Sequence, residues 1–315
     1  MTEPVAAIDC GTNSIRLLVA EPVRSEPAGA VGALRDLDRQ MRIVRLGQGV
    51  DRTGRLDPEA LERTFAALAD YAARIEELGA TRVRMVATSA SRDASNAADF
   101  VSGVRQILGV EPEVVTGDTE AALSYRGATA GVSDELAASP RLVVDIGGGS
   151  TEFVLGEGPQ VIAARSVDVG CVRMTERHLL GDPPSRQQIE ATTADIDAAV
   201  ALAARTVPLG RANSLVGLAG SVTTVAAIHL GLSVYDPVAI HGHVVPASDV
   251  TGISDELLAM SHDERTAIGS MHPGRVDVIA AGALVLRRIL DATGLDAVVV
   301  SEHDILDGIA WSLLE

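Results

Sequence analysis

Residues 143–156 read VVDIGGGSTEFVLG: an apolar run ending in Asp145, three glycines, a serine, then a second apolar run. The pattern is that of a strand, a tight glycine turn and a returning strand. A second copy stands near the start of the chain, AAIDCGTNSIRLLVA from Ala6, in register with LVVDIGGGSTEFVLG from Leu142. In that register Asp9 falls on Asp145, Gly11 on Gly147 and Ser14 on Ser150, while Leu17, Leu18 and Val19 fall on Phe153, Val154 and Leu155. One position changes character: Arg16 stands where the second copy has Glu152. A strand, glycine turn and strand occurring twice, once at the head of each half, predicts two duplicated lobes facing a cleft.

Glycines let successive backbone N–H groups curl towards an oxyanion with no Cβ in the way, and a neighbouring hydroxyl adds a donor. The candidate phosphate-binding residues are therefore Gly11, Thr12, Asn13 and Ser14 in the first turn and Gly147, Gly148, Gly149 and Ser150 in the second. A carboxylate at a strand end beside such a turn repels phosphate unless a divalent cation bridges the two. Mg²⁺ uses one or two carboxylates plus phosphate oxygens in this way. Asp9 and Asp145 are the candidate metal-side residues and Mg²⁺ the expected cofactor. The exchange of Arg16 for Glu152 implies that one lobe carries the acid while the other grips the anion.

Outward from these turns the chain alternates strands and helices, which indicates an α/β fold. VAAIDC, SIRLLVAEP and MRIVRLG predict one antiparallel meander, and RLVVDIG, STEFVLGEG and QVIAARSVDVG a second. A helix is expected from Asp57 as N-cap and Pro58 to Gly79, and another from Ser95. A further one starts at Asp118, and one more runs from Ser185 to about Arg205. MVATSASRDASN and VGLAGSVTTVAAI each run from strand through small and hydroxyl residues into a helix. That brings Ser89 and Arg92, and Gly220 and Ser221, to helix N-termini suited to anions. The expected lobes are 1–132 and 133–302, with the final helix, about 303–315, packing back on the first lobe around Trp311.

Composition narrows the function classes. All 26 basic residues are arginine, which excludes a Walker A loop and a lysine Schiff base. The formal charge of −17 argues against a general nucleic-acid coat. No apolar run is long enough to cross a bilayer and no leader pattern opens the chain, so a cytoplasmic protein is expected. Cys10 and Cys171 form no CxxC and read as buried small hydrophobes. No G-x-S-x-G elbow supports a Ser-His-Asp hydrolase. His241-Gly242-His243 could share one face of an extended segment, but a loop or rim role fits better than a metal. Arg16, Arg42, Arg45 and Arg173 are further candidates for a positive lining, with Arg16 counted among the phosphate-binding residues.

Together, DCGTNSIRLLVA, RIVRLGQGVDRTGRL, ATSASRDASN, TGDTEAALSYRG, VVDIGGGSTEF, VGCVRMTERHL and GLAGSVTTVAAI resemble the exopolyphosphatase/guanosine pentaphosphate phosphohydrolase family, in its short two-domain form. The resemblance implies the actin-like ATPase superfold of two ribonuclease H-like lobes. It also implies hydrolysis of a terminal phosphoanhydride in polyphosphate or guanosine pentaphosphate. Charge and hydropathy lead to no nucleic-acid or membrane partner being expected, and a homodimer is one expected assembly. The resemblance assigns Glu120 as the water-activating carboxylate with Glu152 beside it, Asp145 together with Glu152 to the metal side, and Arg92 to phosphate. The tail VVVSEHDILDGIAWSLL departs from the family pattern: Glu302, His303 and Asp307 replace small or basic residues, and His303 and Asp304 also suit a cap for the last helix. A sugar or acetate kinase of the same superfold and a non-catalytic polyphosphate or alarmone sensor are the alternatives.

Overall fold

The computed structural model describes residues 3–24, 31–129 and 136–314. The chain divides into two compact units, Met1–Gly127 with Ile305–Glu315, and Ala128–Asp304. The expected boundary at 132/133 lies outside the described residues.

In unit 1, β1 (Val5–Cys10), β2 (Ser14–Arg24) and β3 (Val31–Ile43) form the antiparallel meander. A short helix α1 (Val50–Thr53) and the long α2 (Pro58–Glu77) lead to β4 (Arg82–Ala87), which returns parallel to β1. Then follow α3 (Ser89–Asp93), α4 (Ala97–Leu108), the two-residue β5 (Glu113–Val114) and α5 (Gly117–Thr129). The strand order is β3-β2-β1-β4-β5. Every residue of β1 is buried, as expected of a central strand covered on both faces. Ala6, Ile8 and Cys10 face the core made with Leu61, Leu68 and Tyr71 of α2 and Phe100 of α4. Val5 and Ala7 face the opposite core with Leu123 of α5. The start of α2 follows its sequence signals: Asp57 accepts from the amides of Glu59 and Ala60, and Pro58 stands at the first turn.

Unit 2 repeats the plan. β6 (Arg141–Ile146), β7 (Thr151–Glu157) and β8 (Gln160–Val167) are the meander, followed by α6 (Cys171–His178) and α7 (Arg186–Ala204). β9 (Ser214–Leu218) runs parallel to β6 and leads into α8 (Ala219–His229). Then come α9 (Pro237–Ile240), β10 (Val244–Pro246), α10 (Ala247–Ala259), α11 (His262–Thr266), α12 (Ile279–Thr293) and β11 (Ala297–Val300). The order is β10-β11-β9-β6-β7-β8, so β8-β7-β6-β9-β11 matches β3-β2-β1-β4-β5. The fold is α/β, two ribonuclease H-like units of one strand order. Ser185 caps α7 in a reciprocal capping box with Gln188.

The last helix, α13 (Ile305–Ser312), belongs to unit 1. Ile305, Leu306, Ile309 and Ala310 close the second face of its sheet against Val5, Ala7, Leu18 and Val86. Each buried Ile or Leu among these contributes about 1.5–3 kcal/mol. Trp311, expected at the centre of this contact, is only partly buried, because the positions one and four apart from Ile305 take the inward stripe. Asp307 anchors the helix to β3 through two hydrogen bonds from Arg39, 2.5 and 3.2 Å. It therefore has a local structural partner.

Three local expectations change. The third strand begins at Val31 rather than Met41 and ends at Ile43, because the polar alternation RDLDRQ suits an edge strand whose outer face meets water. Ser95 does not cap α4: its hydroxyl donates to Gly54 O at 3.0 Å, and Asn96 occupies the N-cap with its side chain on Leu56. The segment from Arg82 leaves the sheet at Ala87, and Ser89–Asp93 are helical.

Candidate active site

The two glycine turns have one geometry. Gly11 N donates to Ser14 O at 2.9 Å, and Gly147 N donates to Ser150 O at 3.0 Å. In unit 2 the turn's carbonyls are all engaged. Gly147 O accepts from Cys171 N, Gly148 O from Val172 N and Arg173 N, and Gly149 O from Arg173 Nε at 2.7 Å. Across a trans peptide the C=O and the next N–H point in opposite directions. Fixing those three carbonyls on α6 therefore turns the amides of Gly148, Gly149 and Ser150 away from it, the arrangement of an anion-binding nest. Arg173 thus holds the turn from behind.

In unit 1, Thr12 O accepts from Gly47 N, and Asn13 O from Val44 N and Arg45 N, which directs the Asn13 and Ser14 amides away from that segment. The buried Thr12 hydroxyl lies 2.9 Å from Ser89 Oγ at the start of α3, so the first turn and the small-residue segment after β4 form one unit. Gly47 leaves the room for this: a Cβ there would stand 2.3 Å from Thr12 Cγ2. Arg42, by contrast, pairs with exposed Asp70 beside the Tyr71 ring.

The sequence exchange becomes a difference in charge. Asp9 pairs across the strands with Arg16, which donates from Nε at 3.1 Å and Nη2 at 2.6 Å to Asp9 Oδ2. Arg16 is thereby paired with Asp9, a cation beside the carboxylate of the first turn. In unit 2 the equivalent pair is Asp145 opposite Glu152, both buried, with Ser166 Oγ donating to Glu152 Oε1 at 2.7 Å. Directly opposed residues have Cβ atoms about 4.5–5.5 Å apart, so two carboxylates share a low-dielectric place. Hard oxygen donors in pairs fit Mg²⁺, which keeps most of its shell for water and phosphate. Among the described residues no group of three or more His, Cys, Asp or Glu could cage a metal.

Glu120, buried in the first turn of α5, is joined to Arg92 of α3: Arg92 Nη1 donates to Glu120 Oε2 at 3.3 Å and to Val115 O at 3.2 Å. The structure brings these two sequence candidates together across 28 residues.

At the β9–α8 junction Ala219 is held at φ 65°, a left-handed conformation costly for a residue with a Cβ. Gly220 is packed under a guanidinium that sequence reasoning missed: a Cβ on Gly220 would stand 2.5 Å from Arg275 Cζ. Arg275 Nη1 donates to Gly220 O at 3.2 Å and Thr224 Oγ1 at 3.1 Å. Nothing in MHPGRVDVI distinguishes Arg275, because its partners lie about 50 residues away. Ser221 is buried against Gly282 and Cys171. Cys10 and Cys171 are free and buried. Burial, then Asp9, pushes the Cys10 thiol up, and burial does the same to Cys171 against a Ser221 hydrogen bond.

The two histidines of His241-Gly242-His243 do not share a site. His243 Nε2 meets His229 Nδ1 at 2.8 Å, whose Nε2 meets Asp249 at 3.0 Å, while His241 stands edge-on to His303.

Residues 23–315 match the Ppx/GppA phosphatase family. The chain is 49% identical to exopolyphosphatase 2 of Mycobacterium tuberculosis, over 98% of each chain. A crystallised exopolyphosphatase-like protein superimposes with a TM-score of 0.92 at 43% identity, covering 98% of both chains. The guanosine-5'-triphosphate,3'-diphosphate pyrophosphatase of Vibrio cholerae is 29% identical over 98% of this chain and 59% of its own length.

Proposed function

This chain belongs to the Ppx/GppA phosphatase family, and from that premise we propose that it hydrolyses a terminal phosphoanhydride, releasing phosphate from inorganic polyphosphate or guanosine pentaphosphate. The observation that carries the reading is the pair of like turns of which one bears a neutralised Asp9–Arg16 pair and the other two buried carboxylates.

Phosphoryl transfer needs positioning and neutralisation of charge more than covalent chemistry by the protein. The amides of Asn13 and Ser14, and of Gly148, Gly149 and Ser150, supply donors to phosphate oxygens, with Thr12 and Ser89 as a hydroxyl pair behind the first turn. Gly11, Gly147 and Gly220 allow close backbone approach, and Ser221 braces the start of α8. Asp145 and Glu152 would hold Mg²⁺, which when bound offsets the negative charge of the phosphate oxygens.

Glu120 orients the attacking water and accepts its proton. As the water oxygen bonds to the terminal phosphorus, the bridging P–O bond breaks and the shortened phosphate chain leaves. Arg92 gives its guanidinium to the incoming phosphate, exchanging part of its contact with Glu120 for one with substrate and so freeing the carboxylate for water. Free, buried Cys10 and Cys171 suit a reducing compartment, and we assign the chain to the cytoplasm. No helix among the described residues is long and apolar enough to cross a membrane. A homodimer is the assembly proposed, and light scattering of the purified protein tests it.

The deciding experiment is phosphate release, with Mg²⁺, from tripolyphosphate, long polyphosphate and guanosine pentaphosphate side by side. Release from at least one supports hydrolysis. Binding without release from all three would replace it with the sensor reading.

A further inference from the structure

The segment after β11 holds acidic and imidazole groups that the hydrolytic reading does not use. Glu302 stands two residues beyond Val300, the C-terminal end of that strand. In parallel sheets ligands gather at this end of the strands, and here the turn after β6 and the Gly220–Ser221 segment after β9 lie at the same end. Glu302 is fixed: the Tyr235 hydroxyl donates to its Oε1 at 2.5 Å and lies 2.8 Å from Thr223 Oγ1 in α8. With its single proton directed to the carboxylate, the phenol oxygen is left to accept from Thr223. Burial, then the Glu302 charge, pushes the Tyr235 phenol up, so Tyr235 remains a neutral donor. Arg275 lies over the Tyr235 ring, 6.0 Å from its centroid, while its Nη1 reaches Gly220 O. Tyr235 thus links an anchored carboxylate to the guanidinium of Arg275 at the start of α8.

We propose that Glu302 is a specificity-determining residue that turns away a continuing polyanion, so that this chain takes compact phosphoanhydrides, short or nucleoside-capped, in preference to long polyphosphate. The inference rests on the phosphate-hydrolase reading above. A terminal phosphate meets the glycine turn and Arg275. Each further phosphate of a long chain that passes the end of β11 meets a negative charge held in place by Tyr235. The rest of the sequence supplies no lysine and a net charge of −17, the opposite of a surface that concentrates a long polyanion.

The test is calorimetric binding and steady-state phosphate release for the wild type, Glu302→Gln and Tyr235→Phe, with tripolyphosphate, guanosine pentaphosphate and long polyphosphate. Glu302→Gln keeps the acceptor for Tyr235 and removes the charge. It is expected to tighten long-polyphosphate binding and raise its kcat/KM by about tenfold, as one nearby charge would. Tripolyphosphate and guanosine pentaphosphate should change by less than about twofold, and high salt should close the gap. Tyr235→Phe, which frees the carboxylate from its anchor, should recover part of the same shift. Equal shifts for all three substrates, or none for long polyphosphate, would overturn the inference while leaving the hydrolase reading intact. A wild type that neither binds nor cleaves any of the three defeats both.

Discussion

Gly170→Ala offers a steric test of how the second turn is held. The backbone of Gly170 is extended (φ −165°, ψ 167°), a conformation open to any residue, so glycine is required there by space alone. An added Cβ would stand 2.5 Å from Gly148 O, 2.6 Å from Gly148 C and 2.7 Å from Gly147 O. All three atoms are backbone of the proposed phosphate turn, and none can swing aside as a flexible side chain would. Real Cβ atoms essentially never approach within 3.0 Å, so the turn must retreat from α6. That retreat lengthens the bonds from Cys171 N to Gly147 O, 3.0 Å, and from Val172 N to Gly148 O, 2.9 Å. Overpacking costs about 1–3 kcal/mol and a weakened hydrogen bond about 1 kcal/mol, roughly 2–4 kcal/mol in all. At about 2–4 °C per kcal/mol for a unit of this size, the melting temperature should drop by roughly 5–15 °C. Displacing the nest by a large fraction of an ångström should lower phosphate release by on the order of 100-fold. Gly210→Ala is the control, because nothing lies within 4 Å of its Cβ position; it should shift stability by less than about 0.5 kcal/mol. Differential scanning calorimetry and a phosphate-release assay read both. A Gly170→Ala protein with wild-type melting and activity would refute the packing argument.

Glu120→Gln is expected to lower kcat by at least about 100-fold, the usual contribution of a positioned base. It should leave substrate affinity near that of the wild type; isothermal calorimetry beside single-turnover kinetics separates the two, and unchanged turnover sinks the assignment. Asp307→Ala removes the buried partner of Arg39, whose own side chain is 32% exposed. Because the guanidinium keeps access to water, a loss of about 1–3 kcal/mol is expected, read as earlier melting and faster proteolysis near α13. Burial and then His229 hold His243 below the usual imidazole value of 6.5. The unfolded chain thus binds that proton first, and the His243 contribution to stability is present above about pH 6.5 and declines as pH falls towards the lowered folded value. His243→Gln should flatten this part of the melting profile between about pH 7.5 and 5.5, and an unchanged slope would exclude His243 as its source.

The duplicated turn was legible because strand alternation, glycine and a terminal aspartate are all local signals, and their recurrence marked the head of each unit. The caps at Asp57 and Ser185 were legible for the same reason. Ser95 misled because two neighbouring residues could each cap α4, and the choice was made by Gly54, 41 residues away, which took the Ser95 hydroxyl. The edge strand β3 was read too short because an edge exposes polar residues, which weakens the apolar alternation by which strands are recognised.

What the sequence by itself determined is the repeated framework, the chemical type of each turn and the exchange of Arg16 for Glu152, all carried within a few consecutive residues. Only the tertiary structure decided how those groups are spent: Arg16 on Asp9, Arg92 on Glu120, Arg173 on the back of a glycine turn, and Arg275 on Gly220. Every arginine carries the same charge and the same fork in sequence. Which carboxylate or carbonyl it meets depends on strand register and on which helix packs over which turn, and these are set by burial across the whole unit rather than by neighbours in the chain.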